Sequence, residues 1–195
     1  SQYNVLIGLN AGAANSTILN GIVAIGYSAA EYSTGTSVTA IGQAAGQTNT
    51  TGHRWTAIGD SASSTATASD WTAVGSAATT GNQGISMGSY AGYNTTGAGN
   101  ISIGYNAGRT SASDAFSAEA ISIGLAASYQ SVRGTGSIAI GTRAGSGTVA
   151  NHKSTSDSYA IYIGWEASRS STIPTATALD NVIAIGTGAQ VAVSN

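Results

Sequence analysis

The segment 23–29, with the sequence Val-Ala-Ile-Gly-Tyr-Ser-Ala, contains the pattern that decides the fold of this chain. Its first three residues alternate between β-branched and small side chains, so Val23 and Ile25 share one face of a strand. Gly26 then permits a corner with positive φ, or a close approach of two backbones. The segment therefore predicts a short strand that ends at a glycine corner.

The same pattern recurs eleven times along the 195 residues, with gaps of between 13 and 23 residues. The residue three before each glycine is Val, Thr or Ile, and the residue three after it is always Ala. No charged residue occupies these columns. We number the repeats 1 to 11 in the order of their glycines, which are Gly8, Gly26, Gly42, Gly59, Gly75, Gly88, Gly104, Gly124, Gly141, Gly164 and Gly186.

Such strands cannot bury an apolar face alone, but stacked copies pair with one another and build a continuous core. We therefore expect a single all-β repeat domain over residues 1–195, a parallel β-solenoid of about eleven rungs. At about 4.8 Å per rung the rod is about 50 Å long. The β-branched columns and the Ala column are expected to face inward. The repeat-core signature is represented by Ile25, Gly26, Ala29, Ile140, Gly141 and Ala144.

The composition excludes several classes of function. Six Lys or Arg and eight Asp or Glu give a net charge of −2, whereas a nucleic-acid surface needs clustered positive charge. The chain has no cysteine, and no apolar run approaches the roughly 20 residues of a membrane helix. We expect no nucleic-acid partner, no membrane insertion and no cofactor.

The chain ends and the longer gaps suggest where contacts with other molecules occur. The first repeat starts close to residue 1 and the last ends close to residue 195, and no capping element is visible. We expect a segment of a longer fibre, or a subunit that stacks end to end. The widest gaps place long loops in the second half of the chain, around 109–119, 125–136, 145–158 and 168–180.

The repeat resembles the head repeat of YadA-type trimeric autotransporter adhesins, most clearly in the segments 23–29, 138–144 and 183–189. The variant with Ala-Gly after the strand, in 7–12, 87–92 and 103–108, is similar to bacteriophage tail-fibre repeats. The resemblance spans the whole chain, although adhesin repeats are shorter and more regular. It implies a left-handed β-roll, three chains side by side and a location on a cell or virion surface. It carries no catalytic residues.

Aromatic side chains are the candidate contact residues. Trp55 and Trp71 lie four before the glycine in neighbouring repeats, so we expect them to stack as an exposed ladder. Such a ladder packs against a neighbouring chain or binds a sugar face, and we favour chain packing because contiguous apolar stripes mark interfaces. Tyr27, Tyr105 and Trp165 directly follow the glycine and are expected to form a second line.

Metal binding and catalysis are weaker hypotheses. His53 and His152 lie outside the repeated columns, and a metal site needs three or four convergent ligands. Asp60, Glu166 and Asp180 occupy variable positions, where we expect salt-bridged or solvated charges rather than a catalytic pair. We therefore expect a protein that is not an enzyme.

Ice binding is a further alternative, because it requires a flat Thr lattice on one face. Thr39, Thr56 and Thr72 form a Thr column, but we expect it to point inward. Our leading hypothesis is a structural or adhesive segment of a trimeric surface fibre, of the phage tail-fibre or spike type, that contacts a host glycan or protein. The alternatives are a bacterial adhesin head and a self-assembling extracellular filament.

Overall fold

A computed structural model of the chain describes residues 3–13, 20–63, 69–81, 83–95, 97–110, 119–130, 132–133, 135–146, 155–170 and 179–191. These ranges contain strands and turns but no helix, and they form a parallel β-solenoid. The fold is all-β, as predicted.

One parallel sheet of eleven strands follows the sequence repeat, with one strand in each repeat. Every strand pairs with the strand of the next repeat, so the repeats stack in the order of the sequence. The strands are β1 (Val5–Ile7), β2 (Ile22–Ile25), β3 (Val38–Ile41), β4 (Trp55–Ile58), β5 (Trp71–Val74), β6 (Ile85–Met87), β7 (Ile101–Ile103), β8 (Ile121–Ile123), β10 (Ile138–Ile140), β12 (Ile161–Ile163) and β14 (Ile183–Ile185).

Two smaller parallel sheets add to the C-terminal half. In the first, β9 (Val132–Arg133) pairs with β11 (Thr155–Asp157). In the second, β13 (Ser168–Arg169) pairs with β15 (Gln190–Val191). The longer repeats of this half therefore form additional sheet structure beyond the central strand.

The register of the large sheet aligns equivalent residues of the repeats. Val23 pairs with Thr39, Ala24 with Ala40 and Ile25 with Ile41, and the same columns continue along the sheet. Each residue therefore lies over the residue of the same column in the next repeat, which is why a repeat of three or four strand residues is enough to specify the stack.

The large sheet turns inward the opposite face from the one that was predicted. The small residue between the two β-branched residues is the buried one: Ala24, Ala40 and Ala57 have no exposed surface. The β-branched residues on either side are half-buried or exposed, including Ile25 and Ile140, which were expected in the core. Small side chains fill the interior at this strand position and the branched ones lie outside, whereas larger inward side chains stand at the first position of four strands, namely Ile22, Val38, Trp55 and Trp71.

The Ala column three after the glycine does face inward, as predicted. Ala29 and Ala144 have no exposed surface, and the equivalent alanines of the inner repeats are buried in the same way. Serine replaces alanine in the strands of repeats 6 to 8, where Ser86 donates a hydrogen bond to the carbonyl of Thr79 (2.8 Å) and Ser122 bonds to Ser128 (2.8 Å). The core is therefore thin and, in its middle, partly polar.

The repeat glycines satisfy both parts of their prediction. Gly26 has φ of 135° and Gly141 has φ of 127°, which is a region that other residues rarely adopt. A Cβ atom on Gly104 would lie 2.5 Å from the carbonyl oxygen of Gly124 in the next repeat. Glycine is therefore required at this corner by its backbone conformation and by the close stacking of the coils.

Candidate functional site

The main candidate site is the outer face of the large sheet. It consists of the two columns that lie three and one before each repeat glycine, and no residue in them is charged. In the last five strands both columns are entirely isoleucine. These residues are Ile101, Ile103, Ile121, Ile123, Ile138, Ile140, Ile161, Ile163, Ile183 and Ile185.

This outer face is accessible along its whole length. In its interior most side chains are half-buried, because each is covered by its neighbours in the adjacent strands. At the ends the exposure rises, to 57 % for Ile7 and 65 % for Ile185. The face is therefore a continuous uncharged strip, apolar except for Thr39, Thr56 and Thr72, that the single chain leaves in contact with solvent.

A column of variable residues lies beside this strip, directly after each glycine. It contains Tyr27, Tyr105 and Trp165, each 53 % exposed, together with the exposed Leu125. Polar residues separate Tyr27 from Tyr105 in this column, and Thr142 separates Leu125 from Trp165. These aromatic residues are on the surface, as their proposed contact role requires, but they do not form an unbroken line.

The tryptophan pair lies inside the chain, and the expectation of an exposed ladder is wrong. Trp55 and Trp71 stack with ring centroids 5.0 Å apart and planes 9° from parallel, but their exposures are only 1 % and 2 %. Both side chains point to the same side as Ala57, which is the inward side. The indole of Trp55 also donates a hydrogen bond to the carbonyl oxygen of Gly52 (3.1 Å). Neither residue can touch a glycan or a second chain in this arrangement.

The threonine column lies on the outer face, which corrects the argument used against ice binding. Thr39, Thr56 and Thr72 are half-buried beside Ile41 and Ile58. Their direction therefore no longer disfavours an ice-binding role. The Thr column still covers only three repeats, and a second Thr-rich stretch of the sequence, which contains Thr65 and Thr67, lies outside the described residues.

The isolated polar residues have local partners. The Nδ1 atom of His53 accepts a hydrogen bond from the backbone N–H of Thr36 (3.0 Å). Glu166 forms a salt bridge with Arg143 (3.2 Å), which confirms the expectation of a paired charge. A carboxylate oxygen of Asp180 accepts a hydrogen bond from the backbone N–H of Ser158 (3.0 Å). His152 and most of the longest loop segments lie outside the described residues.

A buried polar network in the C-terminal half was not predicted. Tyr162 occupies the inward strand position that is small in most repeats, and its hydroxyl donates a hydrogen bond to Asp157 (3.0 Å). Arg169 lies 3.5 Å from the same carboxylate, and all three side chains are almost completely buried. The bulky Tyr162 in a column of Ala and Ser was the sequence signal for a local change in the core.

A second unpredicted group contains Arg109 and three tyrosines. The guanidinium carbon of Arg109 lies 4.9 Å from the ring centroid of Tyr90, 5.6 Å from that of Tyr93 and 5.9 Å from that of Tyr129. Three of these four residues lie five after a repeat glycine, in repeats 6 to 8. Aligning the repeats on their glycines would have shown this column.

Within the part of the chain that is described, no three His, Cys, Asp or Glu side chains gather as they would around a metal ion. No described helix has the length and apolar character needed to cross a membrane. In comparisons with known proteins, the chain matches no family model, no curated protein and no solved structure.

Proposed function

We propose that this chain is a structural and adhesive segment of a homotrimeric surface fibre, of the phage tail-fibre or spike type, that takes part in host attachment. The observation that carries the proposal is the uncharged outer face, with its ten isoleucines in the last five strands. The proposed role is mechanical and involves no reaction.

The size of this face supports a partner chain. With about 4.8 Å between strands, eleven strands give a strip about 50 Å long, and two side-chain columns make it about 10 Å wide. The resulting footprint of roughly 500 Å² is as large as the largest surface patches of single chains, which are often functional. Charged residues are depleted at the centre of interfaces between chains, and this strip has none.

The proposal of three copies rests on the resemblance of segments 23–29, 138–144 and 183–189 to repeats of trimeric fibres. Three eleven-rung solenoids side by side can turn their outer faces toward a common axis, which removes all three strips from water. Long stacks of hydrogen-bonded strands with glycine corners then give a stiff shaft. The exposed column with Tyr27, Tyr105 and Trp165 flanks this interface and is available for further contacts.

The alternatives differ in assembly rather than in fold. A bacterial adhesin head uses the same trimer on a different surface. A self-assembling extracellular filament stacks its subunits end to end, and the apolar strip then continues from one subunit to the next. The mass of the particle in solution separates the trimer from the filament.

The test is the assembly state of the purified chain and of an outer-face variant. Sedimentation velocity is expected to give a discrete particle of three times the 19.1 kDa chain mass. Ile123→Lys is expected to produce monomers, because three lysines would meet at the axis and each would lose its hydration. The matched control is Thr50→Lys, which adds the same charge at an exposed loop position and is expected to remain trimeric.

Each other outcome has a definite meaning. A wild-type chain that is monomeric at micromolar concentration contradicts the trimer. Long polymers in negative stain favour the filament. Equal assembly of Ile123→Lys and wild type would show that the outer face is not the interface. Circular dichroism of both variants checks that the sheet is retained.

A further inference from the structure

The cluster around Arg109 is built from consecutive repeats in register. Tyr93, Arg109 and Tyr129 each lie five after a repeat glycine. The N–H of Thr110 donates to the carbonyl of Tyr93 (3.0 Å), and the N–H of Gln130 donates to the carbonyl of Arg109 (2.9 Å). These backbone bonds stack the three residues at the spacing of neighbouring strands, outside the strands of the large sheet.

Three tyrosine rings lie within 6 Å of the guanidinium group of Arg109. Arg109 lies between Tyr93 and Tyr129, and Tyr90 provides a third ring at 4.9 Å. Tyr90 and Tyr93 meet edge to face, with centroids 5.9 Å apart and an angle of 77°. Cation–π contacts of this kind hold a guanidinium in place without neutralising its charge. The cluster is half-buried, and Tyr93 is 36 % exposed.

The charge of Arg109 has no acidic partner among the described residues. Its Nη1 atom donates to the side-chain oxygen of Asn106 (3.0 Å), which uses one of five donors. The described salt bridges join Asp70, Glu166 and Asp157 to other arginines. In repeats 2 and 3 the same column holds no cation, and Gln47 instead donates a hydrogen bond to the carboxylate of Glu31 (2.8 Å). Only in repeats 6 to 8 does this column combine a cation with exposed aromatic surface.

We propose that Tyr90, Tyr93, Arg109 and Tyr129 form a binding site for a carboxylated sugar unit of a surface polysaccharide. A guanidinium fork matches a carboxylate through two parallel hydrogen bonds. Tyrosine rings offer a flat apolar face for the C–H groups of a sugar ring and a hydroxyl for its edge. The exposed Asn94 and Gln130 border the cluster and supply further polar groups.

This inference deepens the proposed attachment role and names the chemistry of the receptor. Phosphate and sulfate groups share the anionic character of a carboxylate, so the test must separate them. Isothermal titration calorimetry is carried out with galacturonate and sialylated oligosaccharides, a phosphorylated oligosaccharide, a neutral glucose oligosaccharide and inorganic phosphate. Binding is expected for the carboxylated sugars alone, with an affinity that falls as salt is raised.

The variants locate the site. Arg109→Gln is expected to weaken binding at least tenfold, and Tyr93→Leu and Tyr129→Leu are expected to weaken it severalfold. The matched control is Arg143→Gln, which removes an exposed arginine in another column and is expected to bind as wild type does. Circular dichroism and thermal unfolding confirm that each variant is folded before it is titrated.

Three results would overturn the inference: no binding of carboxylated sugars to the wild type, equal binding by wild type and Arg109→Gln, or binding of the phosphorylated sugar alone. Sedimentation of the same samples keeps this test separate from that of the proposed trimer. A trimer without sugar binding contradicts only the site, and a monomer that binds through Arg109 contradicts only the trimer.

Discussion

Tyr162 donates a hydrogen bond from its hydroxyl to the carboxylate of Asp157, across 3.0 Å in the interior of the solenoid. Asp157 also accepts a hydrogen bond from the backbone N–H of Leu179 (2.8 Å) and lies 3.5 Å from the guanidinium of Arg169. A buried charge is tolerated only when it is paired and hydrogen-bonded. The carboxylate of Asp157 therefore joins three segments of the longer C-terminal repeats.

Removing the hydroxyl of Tyr162 is predicted to destabilise the fold. Tyr162→Phe keeps the ring but removes one donor from the buried carboxylate, at a cost of about 1–3 kcal/mol. Asp157→Asn should cost more, about 3–5 kcal/mol, because the buried guanidinium of Arg169 then has no opposite charge. Chemical denaturation measures both free energies of unfolding.

The control for this prediction is Tyr105→Phe, which removes the hydroxyl of an exposed tyrosine and should leave the free energy of unfolding unchanged. If Tyr162→Phe unfolds at the same denaturant concentration as that control, the hydrogen bond to Asp157 does not contribute to stability.

Alanine substitutions at the glycine corners can separate the stability lost to backbone strain from the stability lost to close contact between coils. Gly104→Ala places a Cβ at φ of 128° and 2.5 Å from the carbonyl oxygen of Gly124. Gly186→Ala meets a similar φ of 126°, but its nearest contact would be the Cβ of Ala189 at 3.8 Å. Strain alone should lower the stability of Gly186→Ala by about 1–3 kcal/mol. Gly104→Ala should lose clearly more stability, because its Cβ also forces the neighbouring coils apart. Thermal unfolding gives the comparison.

The position of Gly186 in the last repeat calls for a second variant. Gly164→Ala lies one repeat earlier and would place its Cβ against the backbone of Gly186. It should therefore behave like Gly104→Ala. If Gly164→Ala and Gly186→Ala lost the same amount of stability, the close contact between coils would contribute nothing beyond the backbone strain.

The repeat itself was sufficient to predict the eleven strands of the large sheet, their order and the glycine corners, but not the four short strands of the two smaller sheets. Alternation with a period of two assigns residues to two faces, but it does not say which face is inside. Assigning Ile25 to the core and Ala24 to the outside followed hydrophobicity, and the structure reverses this, because Ala24 is fully buried and Ile25 is half-buried on the outer face. Hydrophobic residues outside the core are common in proteins, so hydrophobicity alone is weak evidence here.

The predictions of contact residues were limited in the same way, because alternation does not say which strand face is inside. Trp55 shares a strand face with Ala57, so its direction depended on the same binary choice and was wrong for the same reason. The cluster around Arg109 was missed because its residues come from three repeats and lie outside the repeated columns. Aligning the repeats on their glycines places Tyr93, Arg109 and Tyr129 in one column, but it does not show that Tyr90 joins them.

The burial of Trp55 and Trp71 is predicted to protect their fluorescence from a quencher in the solvent. Trp165→Phe removes the exposed indole and leaves emission from Trp55 and Trp71 only. Iodide, which is charged and does not enter a protein core, should then quench the folded variant very little. Strong quenching of folded Trp165→Phe would place the pair at the surface and contradict their position in the core.

Truncating the same pair should affect folding before it affects any contact. Each Trp→Ala change in a core costs about 3–5 kcal/mol, so Trp55→Ala combined with Trp71→Ala should abolish cooperative unfolding. Near-ultraviolet circular dichroism and a thermal melt are the measurements. A folded double variant that lost only glycan binding or oligomerisation would instead support a surface role for Trp55 and Trp71.

The exposed pair of Arg54 and Asp70 is predicted to make the stability of the fold depend on pH in the acid range. Arg54 donates to both oxygens of Asp70, at 2.6 and 2.8 Å, and these bonds hold the pKa of the carboxyl below its ordinary value. A lowered pKa in the folded state stabilises the fold at pH values above the unfolded pKa of about 3.9. That contribution is lost as the pH falls through the folded pKa, and it is small because both groups are exposed.

An NMR titration of the Asp70 carboxyl carbon tests this prediction directly. Arg54→Gln should raise the pKa of Asp70 toward its ordinary value, since the hydrogen bonds from the guanidinium are the largest cause of the lowered pKa and its positive charge lowers the pKa further. Arg143→Gln removes an arginine that pairs with Glu166 instead, so it should leave the titration of Asp70 where it is. If both variants shift Asp70 equally, general electrostatics rather than the paired hydrogen bonds set its pKa.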